Sequence, residues 1–158
     1  MKKAPAVFQG AAWANKGPSP ENFAQARGRF ERALELDLNN VEALVGLASI
    51  DARSGAFFLA DDRSARFAAA QDMLSKALSS VPNHAMAHCL SGLVEIFSKR
   101  TAEGIAECER ALALDRNLAV AHGLIGAAKY FSGRGEETEG HMQKAFQLSP
   151  LDTNAMLG

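Results

Sequence analysis

Strand-forming residues are scarce in this chain. Val, Ile and Thr together supply 13 of its 158 residues, while Ala and Leu supply 30 and 17. Ala and Leu are the strongest helix formers and β-branched residues are what sheets want, so the composition predicts an all-α fold. Cysteine is nearly absent. Two residues, Cys89 and Cys108, exclude a disulfide scaffold and suit a reducing compartment. No run approaches the ~18 apolar residues a membrane span needs. Neither sign of charge dominates, with 17 Lys+Arg against 18 Asp+Glu, so the basic field of a nucleic-acid binder is missing. Motifs for chemistry are missing as well. There is no glycine-rich phosphate loop, no paired-cysteine motif and no His-Glu-x-x-His, and neither an enzyme nor a cofactor is expected.

The beginning of the chain loosely imitates a secretory signal: Met1-Lys2-Lys3, an apolar stretch, then Ala12-Trp13-Ala14. Pro5, Gln9 and Gly10 interrupt that short stretch, and the reading adopted is a first domain helix.

What the chain does contain is itself, repeated. Residues 85–118 laid on 119–152, an offset of 34, give eleven identities, among them His88/His122, Gly92/Gly126, Phe97/Phe131 and Ala111/Ala145. Chance would give about 3, so the repeat is real. Val41 to Ala48 matches Ala85 to Gly92 at an offset of 44, which places an insertion near 56–65. Phe30, Leu74, Cys108 and Met142 then share one position, and Ala33, Ala77, Ala111 and Ala145 another. The units are approximately 1–40, 41–84, 85–118 and 119–152, with 153–158 beginning an incomplete fifth.

Each unit reads as two helices. From Glu21 to Leu38 the apolar residues Phe23, Ala26, Phe30, Ala33, Leu34 and Leu38 recur at steps of three and four. Ser19-Pro20 supplies an N-cap followed by proline, and Thr101 is expected to cap its helix similarly. Gly46, Gly92, Gly104, Gly123, Gly126 and Gly140 fall inside predicted helices, where close approach of packed backbones is the expected return for their low propensity.

Paired helices at this period resemble tetratricopeptide repeats. The likeness rests on Leu47-Ala48, Ser91-Gly92 and Ile125-Gly126 in the first helices, on the small Ala positions of the second, and on Pro82-Asn83 closing a unit. It implies a right-handed superhelical array of about four antiparallel helix pairs, working as a non-enzymatic protein-interaction module. Phrases such as Gly104 to Asn117 are similar to the repeat region of alphaproteobacterial adenylate/guanylate cyclase-like proteins. That similarity implies a bacterial, cytoplasmic setting and, as an alternative, a regulatory region of a class III cyclase-like protein.

In the family the first helices line a concave groove for a peptide or helix. Carried onto this chain, the groove comprises Val45, Ser49 and Arg53, then Met86, Cys89, Leu90, Leu93, Ile96 and Phe97, then Gly123, Leu124, Ala127, Tyr130 and Phe131. It is mostly apolar and lacks the basic residues of a carboxylate clamp. Helix patterning alone leaves open whether these residues form a groove or core. Phe57, Phe58 and Leu59 in the insertion either touch a partner or cap a hydrophobic edge, and the second reading is preferred. His88 and His122, one period apart, are read as packing residues rather than a metal site, which would want three or four ligands. Phe146, Leu148, Leu151, Met156 and Leu157 make a poor polar end to the array, so homodimerisation through the C-terminal end is the other alternative.

Overall fold

The computed structural model describes residues 3–150. Among the described residues there are eight α-helices, one short 3₁₀ turn and no strand: α1 (Lys3–Ala14), α2 (Pro20–Leu36), α3 (Val41–Ala56), α4 (Arg63–Ser80), α5 (Ala85–Phe97), α6 (Thr101–Leu114), α7 (Ala119–Phe131) and α8 (Glu139–Leu148). The Ala- and Leu-rich composition therefore folds as all-α. The chain forms two compact units, one up to Pro82 and one from Asn83.

In the first unit α1 packs on α2, α3 on α4, and α2 also lies against α3. Ser19 caps α2 by accepting the Asn22 N–H at 3.1 Å, with Pro20 at the first helical position, where its missing N–H costs nothing. Asn40 and Asp62 cap α3 and α4 in the same way, through the N–H groups of Ala43 and Ala65. The core gathers Ala6, Ala14, Phe23, Ala26, Phe30, Ala33, Ala43, Leu47 and Ile50. α1 contributes to that core, as expected of a domain helix. Phe30 is its pivot. A Cβ on Gly10 or on Gly46 would fall within 2.5–2.9 Å of the Phe30 ring, so both neighbouring helices give up a side chain to admit it.

Three sequence expectations need correction. α2 stops at Leu36, because Asp37 turns extended and its carboxylate accepts the Asn39 N–H at 3.3 Å, leaving Leu38 exposed rather than on the apolar face. Thr101 does not cap α6; it is the first helical residue, and the cap position belongs to Arg100, whose side chain pairs with Glu95 instead. Gly140 has nothing within reach of an added Cβ, so close packing is not its reason.

The same open space surrounds Gly28, in the middle of α2 and exposed. Gly28→Ala should therefore raise stability by about 0.5–1 kcal/mol, through helix propensity alone. A urea midpoint that stays put or falls would show a steric demand at that face.

In the second unit α5 pairs with α6 and α7 with α8, while α6 and α5 also touch α7. Its core gathers Cys89, Ile105, Cys108, Ala111, Ala121, Ile125 and Ala128. Here the glycines work in opposition. An added Cβ on Gly92 would lie 2.5 Å from Cys108 Sγ and 2.8 Å from the Gly104 carbonyl oxygen, and one on Gly104 would lie 2.8 Å from that of Gly92. Backbone meets backbone at that crossing. Gly126 faces Met142, whose Sδ an added Cβ would meet at 2.6 Å. α8 is the least buried α-helix of this unit, with Ala145 as its one buried residue.

Candidate functional site

The expected groove residues divide by burial. In the first unit Val45 is buried, while Ser49 and Arg53 are half-buried on α3. Arg53 donates to the Ala14 carbonyl at 3.2 Å and lies over the Phe23 ring at 4.9 Å. It thus ties the end of α1 to α3, placing a cation against a helix C-terminus, where the dipole favours it.

Beside it is a feature that the sequence reading missed. Asp51 is 2% exposed, and its Oδ1 receives Arg27 of α2 at 2.5 Å and Arg66 of α4 at 3.0 Å. A signal for it exists. Under the repeat offsets Asp51 corresponds to Glu95 and Arg66 to Arg100, and Glu95 and Arg100 also pair. An acid late in the first helix of a unit and a base at the start of the second recur together.

The insertion is short. Helices α3 and α4 absorb part of it, and only 57–62 remain as a loop. Leu59 packs, partly buried, against the first unit's core. Phe58 is exposed with φ of 58°, and the Arg63 guanidinium stacks over its ring at 4.0 Å while donating to the Gly55 carbonyl at 2.7 Å.

In the second unit Cys89, Leu90, Leu93 and Gly123 are buried. Cys89 belongs to the core facing α6 and is closed to any partner. The neighbouring Cys108, then burial, push the Cys89 thiol well above its usual range, which leaves it unreactive. Met86, Ile96, Leu124 and Ala127 are half-buried. Phe97, Tyr130 and Phe131, at 36%, 63% and 77%, are exposed in the last turns of α5 and α7. Tyr130 and Phe131 meet edge-on at 5.7 Å between ring centres. Accessible apolar surface is therefore concentrated at one end of these two adjacent helices, not spread along their length.

His88 and His122 occupy equivalent places but do different things. Buried His88 holds Glu107 of α6 through Nδ1 at 2.7 Å. His122 faces His141 of α8, the repeat equivalent of Glu107, with Nδ1 to Nδ1 at 3.3 Å. Both are pinned to their own second helix. Among the described residues no three His, Cys, Asp or Glu side chains come together as a metal site, and no helix is long and apolar enough to cross a membrane.

No known protein-family profile matches the chain, and no curated protein matches it in sequence. Solved structures do match. TTC0263, a thermophilic TPR protein of Thermus thermophilus, aligns with a TM-score of 0.60 at 19% identity, over 99% of this chain and 96% of that one. MamA from Desulfovibrio magneticus RS-1 aligns with a TM-score of 0.58 at 22% identity, over 94% and 76% respectively. An O-GlcNAc transferase of Thermobaculum terrenum gives a TM-score of 0.68 at 19% identity, over 95% of this chain but 27% of the transferase chain. At such identities the likeness is one of fold. That fold is the array of helix pairs found in tetratricopeptide-repeat proteins.

Proposed function

We propose that the chain is a non-enzymatic protein-interaction module, and that its second unit receives an amphipathic helix or apolar peptide segment on the aromatic ends of α5 and α7. The observation that carries this reading is the exposure of Phe97, Tyr130 and Phe131 beside half-buried Ile96 and Ala127. Aromatic rings offer large contact area at small entropic cost and are enriched in the anchors of protein interfaces. Lys129 and Arg134 stand nearby and pair with Glu137, giving the patch a charged rim. The expected groove is thereby narrowed. Within the second unit Cys89, Leu90, Leu93 and Gly123 are buried, so the accessible part of the expected groove there is the aromatic end.

Two substitutions separate contact from support. Tyr130→Glu should change stability by no more than about 0.5 kcal/mol, as exposed sites do, while abolishing capture of the partner. Leu93→Glu buries a charge where Leu93 is 6% exposed, and should cost about 3 kcal/mol or more. Equal losses of stability in the two variants would return Tyr130 to the core and end this reading. Partners come from a bacterial lysate pull-down, with Tyr130→Glu as the control. A cyclase-like polypeptide among them would favour the regulatory alternative.

Self-association is the second reading, favoured by Phe146, which is 42% exposed on thinly buried α8. Leu148 is half-buried, while Leu151, Met156, Leu157 and the fifth unit expected from 153 lie outside the described residues. Sedimentation of the wild type and of Phe146→Lys decides it. A monomer at all concentrations removes the reading.

A further inference from the structure

The contact between His122 and His141 has only one proton to spend. His122 Nε2 lies 3.2 Å from the Arg116 carbonyl oxygen, which only accepts, so Nε2 carries a hydrogen. Neutral His122 therefore offers a bare Nδ1. The ring centres are 5.6 Å apart, the 3.3 Å nitrogen separation plus two ring radii, so the two Nδ1 atoms face each other head-on. His141 Nδ1–H donates to His122 Nδ1, and a proton added to His141 Nε2 leaves that bond intact. A proton added to His122 Nδ1 does not: it sets N–H against N–H.

We propose that this pair is a pH-operated latch, and that full protonation of both rings releases α8 from α7. One observation makes α8 the element that yields: it has a single buried residue, Ala145, against five on α7. The equivalent contact one repeat earlier has the opposite sense, because a proton on His88 meets the Glu107 carboxylate. Acidification thus loosens α7–α8 while leaving α5–α6 held. The charged groups around the pair are few. Lys129 of α7 opposes a charge on His141, Glu109 of α6 favours one, and Glu137 of the 3₁₀ turn is engaged with Lys129 at 3.2 Å. Burial first, then Lys129 and His122, hold the His141 imidazole below its ordinary value of 6.5. The folded state therefore binds fewer protons than the unfolded one. The stability that neutral His141 lends to α8 is full above about pH 6.5 and is lost as pH falls below that value through the lower folded one. The opposed N–H groups add to that loss once His122 Nδ1 also carries a proton. Release uncovers the Gly126 face of α7, now packed on Met142.

Hydrogen exchange of the full chain at about pH 7.5 and about pH 5, corrected for intrinsic rates, tests this. Protection of α8 amides should drop by about tenfold or more at the lower pH, with α5 and α6 unchanged. In His141→Gln, folded by circular dichroism, the selective drop should vanish, and in His122→Gln it should shrink to the part that burial and Lys129 impose on His141. Should one variant fail to fold, the other carries the test, together with the imidazole proton resonances of the wild type. That of His141 should move only below its ordinary value of 6.5. A wild-type α8 that keeps its protection, a His141→Gln variant that still loses it, or a His122→Gln variant that loses as much as the wild type overturns the latch.

Discussion

Gly92→Ala should cost about 3 kcal/mol or more, enough to unfold much of the second unit at moderate temperature. The methyl group would have to lie 2.5 Å from Cys108 Sγ and 2.8 Å from the Gly104 carbonyl oxygen, closer than real Cβ atoms come. Trimming Cys108 relieves the first clash and leaves the second, because a backbone carbonyl cannot rotate away without breaking its helix. Gly126→Ala makes the informative comparison. Its methyl group meets Met142 Sδ at 2.6 Å, the end of a flexible side chain with several rotamers, and the cost should be about 1 kcal/mol. Urea unfolding of both variants measures the difference. If Gly126→Ala proves the more damaging, backbone contact is not what Gly92 provides.

The second large effect is expected from stripping Asp51 of its partners. Arg27→Met with Arg66→Met removes both guanidinium groups from a carboxylate that is 3% exposed at its side chain. An uncompensated buried charge costs about 3–5 kcal/mol. Adding Asp51→Leu to that pair should recover most of the loss, since a well-packed apolar substitute is often neutral or better than the ion pair it replaces. Asp51→Leu alone should do less harm than the double arginine change, because Arg27 and Arg66 are 30% and 46% exposed and reach water. Chemical unfolding of the four proteins gives the cycle. A triple variant no more stable than the double would mean that the arginines act through packing, not charge.

How far the sequence carries can be judged residue by residue. The helix pairs were legible because period and packing coincide: Phe30 and Ala33 recur as Cys108 and Ala111, and each is buried. Ser19-Pro20 announced a helix start because capping is local chemistry. The Asp51 cluster was overlooked because its members lie 24 and 15 residues apart and look like ordinary surface charges. His141 went unnoticed for a related reason. Its repeat equivalent is Glu107, so unlikeness of residue type hid likeness of place. The groove was legible only as an either-or, since the helix period places Leu93 and Tyr130 on similar faces and says nothing of what covers them. Burial separates them: 6% against 63%.

The unequal filling of equivalent places has one more consequence. Gly10 stands against Phe30, Gly92 against Cys108 and Gly126 against Met142. A chain built of similar segments risks joining a helix to the wrong partner during folding, or trading helices with another molecule. Here each lock accepts its own key. Phe30 in the place of Cys108 would collide with the backbone crossing of α5 and α6, and Cys108 in the place of Phe30 would leave a void between Gly10 and Gly46. The variety that blurs the repeat in the sequence is what keeps its copies from being interchanged.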